Sequence, residues 1–241
     1  MAVLSNFPLI FAPSAKWQKP VKHLHPVRKN CGVQGGCCSD RYVYQLMRGQ
    51  VYSAIRKIDI LNWKTVLVKH RLDVSHGNDL CWNPRTNEII VAHNSPDGRT
   101  VTILDADTLE FKEKRELPLD IYAIAYDRKH DKYYVCEVGG SRFARLSSDF
   151  VLEKLFPMNV QGHIRQGMAF HNNRLYMLLY RENVIKVYST SGKYIETIKL
   201  PLAKGEPENI FIYNGTFYIT YNKKGYRGGI IYRLEKIKPK K

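Results

Sequence analysis

The chain has 241 residues, 44% of them hydrophobic and 12% aromatic, and a formal net charge of +16. That apolar content suffices for a packed core and excludes a disordered chain. No apolar run approaches the ~18 residues that a membrane-spanning helix needs. The charge is uneven. Residues 1–39 hold five Lys/Arg and no acid, and residues 209–241 hold eight Lys/Arg against Glu235 alone, so the two ends supply twelve of the sixteen charges.

Residues 1–15 form an apolar N-terminal extension. Ser14-Ala15 loosely imitates a cleavage site, but no basic residue precedes the apolar part, and Asn6, Pro8 and Pro13 interrupt it. It reads as a poor secretory signal, and a cytoplasmic location is expected. From Gly32 onward one unit recurs five times: a short apolar stretch closed by a turn dipeptide. The dipeptides are Ser39-Asp40, Asn83-Pro84, Asp127-Arg128, Asn172-Asn173 and Asn214-Gly215. From Asp40 through Asn83, Asp127 and Asn172 to Asn214 the steps are 43, 44, 45 and 42 residues. A period of about 40–50 residues built from short strands defines a radial array of four-stranded blades. The fold expected is all-β: a single five-bladed β-propeller over 16–241, with blade units near 32–74, 75–118, 119–163, 164–204 and 205–241.

Within a unit the third strand alternates with period two, as in Val101-Thr-Ile-Leu-Asp105 and Ile185-Lys-Val-Tyr-Ser189. Asp59, Asp105, Ser147 and Ser189 then open the next turn, where a short polar side chain bonds its own backbone. After Leu234 too little chain remains for a fourth strand, so the segment from Lys16 to Lys29 is expected to supply it and close the ring. Closure would gather Lys16, Lys19, Lys22, Arg28 and Lys29 with Lys236, Lys238, Lys240 and Lys241 into one polyanion-binding patch, near Trp17 and Tyr226. Five cysteines (Cys31, Cys37, Cys38, Cys81, Cys136) form no regular pairing and read as buried free thiols of a reducing compartment, with Cys38 and Cys81 in equivalent places of adjacent blades.

The segments that lead into each innermost strand converge on one mouth of the central channel. They read Gly32-Val-Gln-Gly-Gly36, Ser75-His-Gly-Asn-Asp79, Leu119-Asp-Ile-Tyr122, Ile164-Arg-Gln-Gly167 and Glu206-Pro-Glu-Asn209. Gln34, Asn78, Tyr122, Arg165, Gln166, Glu206 and Asn209 are the candidate ligand-binding residues. His76, Asp79 and Glu208 are the candidate acid–base groups, since crowded carboxylates raise one another's pKa toward the working range. Asp79, Glu206, Glu208 and Asn209 also offer hard oxygens for a divalent metal such as calcium or magnesium. His76 with Cys37 or Cys81 lacks zinc-site spacing. No Gly-x-Ser-x-Gly elbow and no phosphate-binding glycine loop occurs.

Gly32-Val-Gln-Gly-Gly36 followed by Ser53-Ala-Ile-Arg-Lys-Ile-Asp59 resembles the first blade of plant- and bacterial-type glutaminyl-peptide cyclotransferases, and Glu206-Pro-Glu-Asn209 is similar to their acidic cluster on a late blade. The resemblance implies that Glu208 transfers the proton when an N-terminal glutamine cyclises. Three functions follow in order: a monomeric propeller that binds a small molecule or peptide at the mouth, an acid–base enzyme using the same mouth, and a polyanion or nucleic-acid binder acting through the basic termini.

Overall fold

The computed structural model describes residues 15–24, 32–48, 52–74, 76–94, 96–160, 162–201, 205–222 and 229–236, with only the backbone for 15–19 and 236. The chain opens with β1 (Ala15–His23). Blade 1 is β2 (Gly32–Cys38), β3 (Tyr42–Arg48), β4 (Ser53–Asp59) and β5 (Lys64–Leu72). Blade 2 is β6 (Gly77–Asn83), β7 (Glu88–His93), β8 (Thr100–Asp105) and β9 (Phe111–Glu116). Blade 3 is β10 (Ile121–Asp127), β11 (Lys132–Glu137), β12 (Arg142–Leu146) and β13 (Leu152–Pro157). Blade 4 is β14 (Arg165–His171), β15 (Arg174–Leu179), β16 (Val184–Ser189) and β17 (Tyr194–Lys199). Blade 5 is β18 (Glu206–Tyr213), β19 (Thr216–Asn222) and β20 (Gly229–Lys236), and β1 is its fourth strand. Each blade is an antiparallel meander, and the five innermost strands pack around one axis. The fold is a five-bladed β-propeller closed by the N-terminal strand.

Local chemistry fixes the hairpins. Asn172 and Asn173, and Asn214 and Gly215, have positive φ (49°, 56°, 47° and 71°), as two-residue turns between paired strands require. In the turns after each third strand, Asp59 Oδ1 accepts from Leu61 N at 2.9 Å and Asp105 Oδ1 from Asp107 N and Thr108 N at 2.9 and 2.8 Å. Ser147 and Ser189 do the same with their hydroxyls, so these polar residues are structural. Outer strands such as β9 (FKEKRE) are charged and largely exposed, which keeps a free sheet edge from recruiting another chain.

Closure is antiparallel, running from Ala15 opposite Lys236 to His23 opposite Ile230. Pro20 lies in β1 where the register shifts, a place an edge strand tolerates. Leu24 then donates its N–H to Gly229 O at 2.7 Å and is fully buried. The two basic ends thus share a blade as backbone. Of the expected polyanion-binding residues, the side chains of Lys16, Lys19 and Lys236, and all of Arg28, Lys29, Lys238, Lys240 and Lys241, lie outside the described residues, as do Tyr226 and Cys31. Lys22 is half-buried.

The core is divided into five apolar layers, one between each pair of neighbouring blades. Leu46, Ile55 and Ile89, for example, are fully buried between blades 1 and 2, each such side chain stabilising the fold by about 1.5–3 kcal/mol. Four free thiols are described: Cys37, Cys81 and Cys136 are buried and Cys38 partly so. The first hairpins correct the expected thiol alignment: Ser39 bonds Tyr42 across a two-residue turn in blade 1, whereas Asn83 faces Glu88 across a four-residue turn in blade 2. A Cβ on Gly35 would lie 2.5 Å from Asp79 Cα, so Cys37, not Cys38, stands beside Cys81, while Cys38 Sγ donates to Ile212 O at 3.2 Å on the other side.

That contact makes a prediction. Gly35→Ala forces its methyl into the backbone of the next blade and should lower stability by about 1–3 kcal/mol. An unchanged midpoint in urea denaturation would contradict the packing described.

Candidate functional site

The axis itself is polar. Asp79, 1% exposed, accepts the Ile124 and Met168 amides on Oδ2, both at 3.1 Å. Those amides belong to blades 3 and 4. Blades 2 and 4 are not neighbours, so the carboxyl crosses the axis. Oδ1 has no hydrogen-bond partner among the described residues. Burial pushes the carboxyl well above its usual range, against the opposing effect of the donated amides. Asn209, fully buried, belongs to a second axial device. Its Nδ2 donates to Gln34 O at 3.0 Å, and the Thr220 hydroxyl points one proton toward both Asn209 Oδ1 (3.2 Å) and Gln45 Oε1 (3.0 Å). Gln45 Nε2 donates to Gly35 O at 2.5 Å, completing a polar seam between blades 5 and 1. Asp79 Oδ2 and both polar atoms of the Asn209 side chain therefore hold the ring.

The upper mouth, at the starts of the innermost strands, gathers most of the other expected residues. Glu208 is 2% exposed, and Asn222 Nδ2 donates to its Oε1. Burial, and then the neighbouring Glu206 charge, push the Glu208 carboxyl well above its usual range, with Asn222 and Arg48 opposing. Glu206 is half-buried and raised less, by burial, while Gln166 Nε2 donates to its Oε1 at 2.7 Å. Tyr122 lies close enough to feel Arg165, Glu208 and Glu206, although burial is the main cause of its raised pKa. Asn78 Nδ2 donates to Tyr122 O at 2.7 Å. Arg165 lies with its guanidinium 5.2 Å from the Tyr122 ring centroid and donates to the Val138 and His163 carbonyls; its Nε is buried without a partner among the described residues. His76 is half-buried and lowered by burial and then by Arg48. Gln34 is half-buried and donates to Val33 O at 3.1 Å.

The structure thus brings Glu208 to Glu206 rather than to Asp79, which lies deeper on the axis. It also adds two residues that the strand starts do not reveal. Asn222 ends β19, where it donates to both Val33 O (2.8 Å) and Glu208 and accepts Val33 N (3.0 Å). Arg48 ends β3 and is exposed. Glu206 pairs with Asn222 across the hairpin. Among the described residues, no group of three or more His, Cys, Asp and Glu is placed to hold a metal ion, and of the expected oxygen donors Glu206 and Glu208 lie at the mouth while Asp79 and Asn209 lie on the axis. A cavity of about 330 Å³ opens at the opposite mouth.

Fold and mouth together define the class: a five-bladed propeller with a paired-carboxyl polar mouth. No protein-family model matches the chain, and no curated protein matches it by sequence. Solved structures do share its fold. A glutaminyl cyclase from Myxococcus xanthus superposes with a TM-score of 0.71 over 94% of this chain and 98% of its own, at 10% identity. A luciferin-regenerating enzyme follows at 0.60 over 93% and 96%, with 13% identity, and a streptogramin B lyase at 0.53 over 93% and 74%, with 16%. At these identities the likeness is one of fold. No helix among the described residues is long and apolar enough to cross a membrane.

The Asp79 shift fixes a sign. Its folded-state pKa is raised, so its contribution to stability is full below the unfolded value of 3.8 and is lost as pH rises toward the folded value. Asp79→Asn keeps the two accepted amides and cannot ionise. Its urea midpoint should gain on wild type between about pH 4 and about pH 8, and a constant difference would contradict the neutral carboxyl.

Proposed function

We propose that the upper mouth is an acid–base site, in which the Glu206–Glu208 pair moves a proton on a small substrate such as the N-terminal glutamine of a peptide. The observation that carries this reading is the buried Glu208 carboxyl beside a second, shallower carboxyl. Two carboxyls that repel each other's charge hold one proton between them, and the more buried one keeps it. Cyclisation of a terminal glutamine needs that capacity. The α-amine attacks the side-chain amide carbon, a ring C–N bond forms, the amide C–N bond breaks, and ammonia leaves. One proton must pass from the attacking nitrogen to the departing one. Glu206 accepts it from the amine and Glu208 delivers one to the leaving nitrogen, so the pair ends with the single proton it began with. Gln166 orients Glu206 and Asn222 orients Glu208. The fold shared with a glutaminyl cyclase supports the reading.

A second reading, a non-catalytic binder of the same ligands, is favoured by Arg165. It lies against Tyr122, the described aromatic at the strand starts, and covers the face on which a substrate would stack.

A peptide with N-terminal glutamine separates the two by mass spectrometry. Wild type should release ammonia from it, and Glu208→Gln should lose about 10²-fold or more of the rate, with Glu206→Gln shifting the pH profile. Binding without conversion by wild type would establish the second reading, and a Glu208→Gln rate equal to wild type would contradict the first.

A further inference from the structure

The cavity of about 330 Å³ lies at the lower mouth, where the innermost strands end, and the acid–base reading makes no use of it. Its volume falls within the range of small-molecule sites, about 300–1,000 Å³. Trp82, Tyr126 and Phe170, from the ends of β6, β10 and β14, give it aromatic walls on three successive blades, and Leu80, Met168 and Ile210 line it further in. Asp79, crossing the axis, together with Asn209 and the tightly packed Gly35 and Gly167, fills the level above, so a ligand enters from the lower face.

At the rim the charge is specific. Arg128 of blade 3 reaches across blade 2 to Asp40 of blade 1, with Nη1 to Oδ1 at 2.7 Å and Nη2 to Oδ2 at 3.1 Å. Its guanidinium carbon stands 5.0 Å from the Trp82 ring centroid. Both partners line the cavity and both are largely exposed, at 54% and 70% of the side chain. An exposed pair of this kind holds itself together weakly, because water screens it. A simple anion that took Arg128 would strand Asp40, and a simple cation would strand Arg128. A molecule carrying both charges replaces both partners at once.

We propose that this cavity is a second ligand site, which takes a small zwitterion with a flat or branched apolar side chain: the chemistry of an aromatic or aliphatic α-amino acid. The carboxylate bonds Arg128, the ammonium bonds Asp40, and the side chain enters between Trp82, Tyr126 and Phe170. Deeper in, Cys37 and Cys81 present uncharged thiols, since burial raises both well above the ordinary thiol range, and Cys38 is pushed up to about 12. The walls beneath the rim are therefore neutral and suit an apolar group.

Calorimetric titration with L-phenylalanine, L-leucine, 3-phenylpropionate and phenethylamine tests the site. The two amino acids should bind saturably, and the two single-charge analogues about tenfold more weakly, because each leaves one rim charge unpaired. Arg128→Gln and Asp40→Asn, both surface changes compatible with folding, should each weaken L-phenylalanine by about tenfold, and Glu208→Gln should leave it unchanged. Absence of saturable binding by all four probes, equal binding of the single-charge analogues, or binding untouched by both rim variants would overturn the proposal.

Discussion

Five sheets set around an axis each turn one bare strand edge inward, and those amides need acceptors that water cannot easily supply. The Asp79 carboxyl meets that need by crossing from blade 2 to accept the Ile124 and Met168 amides of blades 3 and 4. Much else follows from its position. A side chain on the axis requires the neighbouring strand to come close, hence Gly35, where a methyl would lie 2.5 Å from Asp79 Cα. An ion there would be desolvated without a counter-charge, and neutralising the carboxyl is the cheaper state. Asn209, Thr220 and Gln45 perform the corresponding task at the seam between blades 5 and 1, where the ring is also closed by main-chain pairing of β1 with β20.

Because this polar plug occupies the middle, the two ends of the axis are chemically independent. The upper end is formed by strand starts and by the ends of second strands, where side chains are free to be polar. There burial is graded: Glu208 is deep and Glu206 half-exposed, and burial is the largest cause that pushes each carboxyl up, further for Glu208. The lower end is formed where strands run into tight turns, and it carries aromatic walls under the exposed Arg128–Asp40 ion pair.

The architecture was legible because its signals are local. The turn dipeptides, the period they set and the missing fourth strand of the last blade follow from short-range backbone chemistry, and Asn214-Gly215 adopts the positive φ values that its residues favour. The site was legible only in part. Polarity at the strand starts marked Glu206, Glu208, Gln166 and Tyr122, which do meet at one mouth. The same polarity could not separate a half-buried carboxyl such as Glu206 from one enclosed by the ring such as Asp79. Asn222 and Arg48 reach the mouth from the ends of β19 and β3, across hairpin registers shifted between Pro207 and Asn209 and between Val33 and Gly36. Such shifts are tertiary features without a residue signature.

The central claim is that the upper mouth holds a carboxylic acid which keeps its proton where an ordinary glutamate has lost it. The direct measurement is the side-chain carboxyl ¹³C resonance of Glu208, assigned by its absence in Glu208→Gln and followed from about pH 4 to about pH 9. Titration well above the usual carboxylate range, moving down when Glu206 is replaced by Gln, is the predicted result. A midpoint at the ordinary glutamate value of 4.5, indifferent to Glu206, would contradict it.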